Sequence, residues 1–482
     1  MTFIVYHRPM NESWTPSIHD TPGTLHDRLL HVLRQDIATG ELEPEGKLPT
    51  HRELANRLGI GVGTVTRAYA EAERLGLVTS AVGRGTFIAP AASPPLDSTS
   101  RWDQGDTGAM VDLSLNLQSL DIAAERIAGA LTRLPLRPDF AGSLTAAPHA
   151  GIAWHRQTLA AWLRRAARYE GVDWERLLIT TGAQHAMSIV VSTLCRPGDV
   201  ILTEAATFAG IAALAEHRGC RCVGVAMDGE GITPEALEIA IRDTGSRLLY
   251  VMPTLQNPTT RTMSRQRREE IARIARSHDL TVIEDDVYAP LAFTLGVQRP
   301  DLVPLASLIP ERTCYVSSAS KAVAMGLRVG VLIAPDTAHF EAFSRTLRAD
   351  CYATSSIGSL LMCQLIKDGV ADEVRGAVAQ EATARMTLAR RMLGDSIEPP
   401  SFPGSLHAWM PLPELRAERI ANSALRRGVI LTPPSSFLMD GEAVSGLRLC
   451  LNAVSRPDLE RALRVVRSAL ADEIVPGRLA IV

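Results

Sequence analysis

No stretch of this 482-residue chain is apolar for long enough to cross a bilayer; the longest such run, Met187–Leu194, falls well short of a span. Charge of one sign is also missing. With Lys plus Arg at 50 against Asp plus Glu at 53, the net charge is −3, so no global field attracts nucleic acid. Any DNA contact has to come from a local patch. The seven cysteines are odd in number and scattered. Cys220 and Cys222 form the one close pair, and C-x-C alone is not a metal site. This usage predicts reduced, mostly buried thiols in a cytoplasmic protein that binds no metal. Met1–Pro9 lacks a long apolar core and a cleavage-like site, which predicts no signal peptide. What remains is 46% hydrophobic and 21% charged, the make-up of a soluble globular chain, and its length asks for two or three domains.

The first ninety or so residues carry a helical period. Leu25, Leu29, Leu33 and Ile37 recur every four residues, ahead of Gly40. Thr50-His51-Arg52-Glu53 has the form of a capping box, and the helix it opens carries Leu54, Ala55 and Leu58 before Gly59. A third helix is predicted from Gly63 to Leu75, with Val65, Tyr69, Ala72 and Leu75 inward. Strands are expected at Leu77–Ser80 and Thr86–Ile88, around Gly83-Arg84-Gly85. Three helices and a glycine-tipped hairpin make a winged helix-turn-helix, whose third helix enters the major groove. The candidate DNA contacts are Arg52, Thr64, Arg67 and the wing tip Gly83, Arg84 and Gly85. The glycines there allow the backbone close to phosphate. Glu41, Glu43, Glu45, Glu71 and Glu73 offset the basic residues, so each module should bind modestly and act as part of a dimer.

The organisation that follows is a tail (1–20), the winged helix-turn-helix (21–89), a linker (90–110) and a large region (111–482). The linker is rich in Pro, Ala, Ser, Asp and Gly and reads as an extended connector. Beyond it, strand-like runs at Leu177–Thr181, Val200–Thr203, Cys222–Ala226, Leu248–Met252, Leu280–Glu284, Thr313–Ser317 and Val329–Ala334 alternate with helical patterns such as Arg267–Ser277. That alternation predicts an α/β layer with a mainly parallel sheet. Ligands gather at the carboxyl ends of such strands.

The polar motifs fall at those ends. Gly182-Ala183-Gln184 opens a helix after a strand, where backbone N–H groups suit a phosphate. Phe208 can stack on a flat ring, and Asn257 offers an amide to a phenolate oxygen. Asp285 suits a pyridine nitrogen, which it would keep protonated so that the ring acts as an electron sink. Tyr288, three residues on, can reach the ring hydroxyl. Ser318, Ser320, Lys321 and Arg328 combine one amine with small hydroxyls and an arginine, the set an anionic aldehyde cofactor asks for. Arg448 carries a planar fork suited to a carboxylate. His407 and Trp409 are further candidates near a substrate side chain, and equally candidates for the core.

Over Leu48–Ala55, Thr64-Val65, Arg67–Tyr69, Leu75–Val78 and Gly83–Phe87 the N-terminal segment resembles the GntR-type winged helix. It departs at Gly61-Val62-Gly63, where that family has a polar start to the recognition helix. The later motif set resembles the fold-type I, pyridoxal-phosphate-dependent aminotransferases of class I/II. The fusion resembles the MocR subfamily of bacterial transcription regulators. The resemblance implies an aminotransferase fold with a small α+β C-terminal subdomain at about 366–482. It implies pyridoxal 5'-phosphate as cofactor with Lys321 as the Schiff-base lysine and Asp285 on the pyridine nitrogen. Asn257 and Tyr288 would then hold the ring oxygen, Phe208 would stack, and Gly182, Ala183, Gln184, Ser318 and Arg328 would hold the phosphate. Arg448 would bind an amino acid's α-carboxylate. It also implies a head-to-tail homodimer. Phe208 and Thr260 replace the family's usual Tyr and Gly.

Two functions follow. One is a DNA-binding regulator that senses pyridoxal phosphate, or an amino compound, by aldimine exchange at Lys321, with operator DNA as partner. The other is an active amino acid aminotransferase with an accessory or vestigial winged helix. The intact fusion and the arginine set favour the first.

Overall fold

Thr50 opens the second helix as its spacing to Glu53 requires: its hydroxyl accepts from the Glu53 N–H, and the Glu53 carboxylate accepts from the Thr50 N–H at 2.9 Å. The computed structural model describes residues 14–17, 24–38, 41–42, 46–74, 77–81, 85–88, 110–118, 121–145, 148–297, 299–439 and 444–472. The chain divides into two compact units, Met1–Ser98 and Thr99–Val482. Apart from Met110, the segment 90–110 lies outside the described residues, as do the tail 1–13, Gly40, Leu75, Gly83 and Arg84.

In the first unit, α1 (Leu25–Ala38), α2 (His51–Leu58) and α3 (Val62–Arg74) enclose Leu29, Leu33, Leu54, Ala55, Val65, Ala68, Tyr69 and Ala72. Leu25 departs from expectation: as the first residue of α1 it is 45% exposed and adds nothing to this core. Strands β1 (Val78–Ala81) and β2 (Gly85–Ile88) pair antiparallel, with Val78 opposite Ile88 and Ala81 opposite Gly85. The Leu48 N–H donates to Thr86 O and the Ile88 N–H to Gly46 O, which ties β2 to the stretch before α2. The Tyr69 hydroxyl donates to Pro49 O at 3.2 Å, joining α3 to the same stretch.

In the second unit, β3 (Val111–Asp112) comes first, followed by β4 (Leu177–Thr180), β5 (Val200–Glu204) and β6 (Arg221–Val225). A small hairpin, β7 (Met227–Asp228) and β8 (Gly231–Ile232), precedes β9 (Leu248–Val251), β10 (Thr281–Asp285), β11 (Thr313–Ser318) and β12 (Gly330–Ile333). Seven of these form one sheet, in the order β4-β12-β11-β10-β9-β5-β6. β4, β9, β11 and β12 are buried along their whole length, as strands covered on both faces must be. The sheet is parallel except at β12, which runs antiparallel to both β11 and β4. The link from β11 to β12, Ala319–Val329, is too short for a crossover helix, so the chain turns straight back. Lys321 and Arg328 sit on that link and therefore share one end of the sheet with Asp285.

A second core belongs to the C-terminal lobe, where β13 (His407–Pro411) pairs antiparallel with β15 (Gly446–Cys450), and β14 (Val429–Ile430) pairs parallel with β3. Val111 and Leu113 are buried in this core with Met410, Ile420, Leu447 and Leu463, so the small lobe takes in a piece of chain from just after the linker. The helix Val370–Leu393 serves both cores: Val374 and Val378 pack into the first, and Met386 and Ala389 into the second.

One close approach fixes the sheet end that carries the site. Gly330 is paired with Thr180 and Ser318, and a Cβ there would lie 2.5 Å from the Gly182 carbonyl carbon and 2.7 Å from Thr180 Oγ1. Backbone cannot yield as a flexible side chain can. Gly330→Ala should therefore destabilise the large unit by about 1–3 kcal/mol, read as a lowered denaturation midpoint that leaves unfolding of the winged helix unchanged.

Candidate functional site

At the carboxyl ends of the central strands lies a cavity of about 290 Å³. Ala183, Gln184, Phe208, Asn257, Asp285, Tyr288, Ser318, Ser320, Lys321, Arg328 and Arg448 all line it. Gly182, the remaining expected residue, stands directly behind Arg328: a Cβ there would lie 2.8 Å from Arg328 Nη2.

Asp285 ends β10. The Tyr250 hydroxyl of the neighbouring β9 donates to Asp285 Oδ2 at 2.8 Å, while Oδ1 is buried without a partner among the described residues. Burial raises the carboxyl to about 6, against the pull of the Tyr250 hydrogen bond. Tyr288 follows in the turn after β10, fully buried, and its hydroxyl accepts from Asn116 Nδ2 at 2.8 Å.

Lys321 donates from Nζ to Asn116 O at 2.5 Å. Burial pulls its ammonium down to about 8, and the nearby Arg448 and Arg328 push in the same direction. Arg448, on β15, donates from Nη1 to Asn257 Oδ1 at 2.9 Å, and from Nη2 to Ser114 O at 2.8 Å and Thr432 Oγ1 at 3.0 Å. Its Nε is buried without a partner among the described residues. One segment, Ser114–Leu117, thus lines the cavity and supplies backbone carbonyls to both the amine and the carboxylate-binding candidate.

The cradle for a phosphate forms where β4 meets the helix Ala183–Leu194. Gly182 caps that helix with φ 84, a left-handed value that favours glycine, and Ala183 and Gln184 of its first turn line the cavity. Arg328, itself at φ 50, donates to Thr181 O at 2.9 Å, which brings a cation to the same helix end. Gln184 Nε2 donates to Gly210 O at 3.0 Å, joining this turn to the helix Ala209–His217, whose N-cap is Phe208.

These groups fit pyridoxal phosphate. A buried carboxylate oxygen without a partner suits a ring N–H, a depressed lysine amine suits an aldehyde, and a helix N-terminus with Arg328 suits a phosphate. His407 and Trp409 do not line the cavity. His407 is fully buried one step behind it, with Nδ1 3.0 Å from Asn116 Nδ2, and burial drives its imidazole down to about 3. Trp409 packs with Ala206 and Phe437 in a small core of its own. Ser114, Asn116 and Tyr250 were missed by sequence reasoning. Asn116 follows a composition-biased linker and belongs to no motif, whereas Tyr250 carried a signal in its place one residue before the end of a strand beside Asp285.

In the first unit, Arg52 on α2 and Arg67 on α3 are exposed, and Thr64 is half-buried near the start of α3. Gly85 begins β2 and is the described part of the wing tip; Gly83 and Arg84 lie outside the described residues. α3 starts at Val62, which is 43% exposed, so the Gly61-Val62-Gly63 stretch, which has no polar side chain, opens the helix expected to meet DNA. Among the described residues there is no cluster of His, Cys, Asp or Glu able to hold a metal, and no helix is long and apolar enough to cross a membrane.

Residues 125–466 match the model of the aminotransferase class I and II family, and residues 25–88 that of the bacterial regulatory proteins of the gntR family. The HTH-type transcriptional regulator YisV of Bacillus subtilis is 26% identical over 94% of this chain and 96% of its own length. The 2-aminoadipate transaminase of Thermus thermophilus is 30% identical over 72% of this chain and 86% of its own. The crystal structure of LysN, an α-aminoadipate aminotransferase from Thermus thermophilus, superposes with a TM-score of 0.67 at 26% identity, covering 76% of this chain and 93% of that one. Aminotransferases of this fold use pyridoxal phosphate. With the cavity at the strand ends and a winged helix earlier in the sequence, the chain belongs to the class I and II aminotransferase family, in the MocR-like arrangement that joins this fold-type I domain to a gntR-type DNA-binding module.

Proposed function

We propose that this protein is a cytoplasmic, homodimeric transcription regulator that holds pyridoxal phosphate at Lys321 and senses the cofactor, or an amino compound reaching it, through exchange at that amine. The observation that carries the reading is the convergence of Lys321, the open Oδ1 of Asp285 and Arg448 on one cavity in a chain that also bears a winged helix. Bound there, the cofactor supplies an electrophilic carbonyl and an electron-withdrawing ring. The chain's own residues do the rest. Lys321 presents an amine that is partly neutral near pH 8, Asp285 holds a proton on the ring nitrogen, and Arg448 selects a carboxylate. Asn257 and Tyr288 fit the ring oxygen, and Ser318, Ser320, Arg328 and the Gly182–Gln184 turn fit the phosphate. An effector shifts DNA binding only as far as it binds two arrangements of the dimer unequally. A head-to-tail dimer supplies two DNA modules, which the modest charge of each requires.

The second reading is an amino acid aminotransferase with an accessory winged helix. The intact Lys321, Asp285 and Arg448 favour it, as does the Gly61-Val62-Gly63 start of α3, which lacks polar donors. Product accumulating beyond one equivalent per protomer from an amino acid and a 2-oxo acid decides for it.

Lys321→Ala should abolish the visible absorbance that the protein gains with pyridoxal phosphate; an unchanged spectrum refutes the assignment. The neutral amine is the reactive form, so the rate at which cofactor-free protein takes up pyridoxal phosphate should rise with pH through about 8, below the range of an ordinary lysine. Stopped-flow absorbance measures this. Arg52→Ala combined with Arg67→Ala should weaken binding to DNA from upstream of the protein's own gene. Its salt dependence should flatten by roughly 0.9 in the log–log slope for each phosphate no longer neutralised, as read by fluorescence anisotropy.

A further inference from the structure

We propose that Tyr250 is a positioning residue for the cofactor: its hydroxyl commits one oxygen of Asp285 and so keeps the other, ionised and correctly turned, for the ring nitrogen. The inference rests on the pyridoxal phosphate reading above. Tyr250 lies opposite Ile283 in the parallel β9–β10 ladder. Alternation along β10 puts residues 283 and 285 on the same face, so the Tyr250 phenol runs along that face towards the strand end. There it donates to Asp285 Oδ2 at 2.8 Å, with Tyr250 0% and Asp285 2% exposed. Oδ1 has no partner among the described residues, although Asp285 borders the cavity. A carboxylate with one oxygen bonded and one open has a fixed plane and a single site to offer.

The charge balance around Asp285 makes this donor matter. The adjacent Asp286 disfavours its negative charge and Lys321 favours it; Asp285 in turn disfavours the charge on Glu204 of β5, and the buried Tyr288 follows three residues on. Burial works against the anion as well, and the Tyr250 hydrogen bond is the largest influence on the other side. Without it Asp285 becomes more basic and takes the proton from the ring nitrogen. A ring bound there would then lose positive charge, and the Lys321 nitrogen would hold its proton more tightly.

The test is the pH titration of the visible absorbance of the cofactor-loaded protein, with cofactor retention on gel filtration as a second readout. Tyr250→Phe should raise the midpoint by on the order of one pH unit, the size of one hydrogen bond to a charged group, and should release cofactor faster. 3-Fluorotyrosine at position 250, a stronger donor of nearly the same shape, should lower the midpoint and remains informative should the phenylalanine variant fail to fold. Asp285→Asn should raise the midpoint at least as far as Tyr250→Phe. A shift in Asp285→Asn with none in either Tyr250 variant overturns the role of Tyr250 alone. No shift in Asp285→Asn overturns the underlying assignment of Asp285.

Discussion

Three consecutive carboxyl groups, Glu284, Asp285 and Asp286, are buried at the end of the central strand β10, and the architecture around the site is arranged to satisfy them. A buried carboxylate without partners is among the most costly features a fold can contain. The pleat of the strand sends neighbouring side chains to opposite faces, so Glu284 and Asp286 share one side and Asp285 takes the other. Glu284 accepts the Leu305 and Ala306 N–H groups at 2.7 and 2.8 Å, where the helix Leu305–Leu308 begins. Asp286 accepts the Tyr315 hydroxyl of β11 at 3.0 Å, and Asp285 the Tyr250 hydroxyl of β9. The fully buried Arg268 lies close enough to Glu284 and Asp286 to favour their charged forms, and it is itself held by Pro253 O, Thr254 Oγ1, Val303 O and Met263 O. The strand order β9-β10-β11 is thus also an order of hydrogen-bond donors.

Two of these three groups are left incomplete. Glu284 has both oxygens occupied, while Asp285 and Asp286 each keep one oxygen unpartnered among the described residues, and of the two only Asp285 borders the cavity. An unsatisfied oxygen on a residue that lines the cavity is what the proposed cofactor role of Asp285 calls for. Breaks in polar satisfaction concentrate at functional sites.

Much of this was legible in the sequence because its determinants are local. The strand ends, the Thr50 capping box, the Gly182 helix start and the Lys321–Arg328 spacing each lie within a few residues of one another, and the structure has them where the spacing put them. What could not be read depends on contacts between distant parts of the chain. Asn116 and Tyr288 are 172 residues apart and Ser114 and Arg448 are 334 apart, yet each pair is joined by a hydrogen bond. No periodicity announces such pairs. The antiparallel return of β12 was hidden for a related reason, since Val329–Ala334 reads like any other apolar strand and only the short link before it reveals the direction. His407 and Trp409, which the sequence left open between substrate pocket and core, are both fully buried outside the cavity lining, Trp409 in a small core with Ala206 and Phe437.

The Ser114–Leu117 segment has one more consequence. Through its carbonyls it already serves Lys321 and Arg448, the two cations assigned to incoming molecules in the proposed function, and it is anchored on both sides, by Leu113 against Cys450 and by Gln118 against Val323 O. The chain therefore carries its own resident competitor. Any affinity measured for this pocket is a difference between what the newcomer gains and what the backbone gives up, and a compound whose carboxylate merely matches Ser114 O gains nothing at Arg448. On the proposed reading, selectivity at such a site would begin as an exchange threshold, set by the protein before any effector arrives.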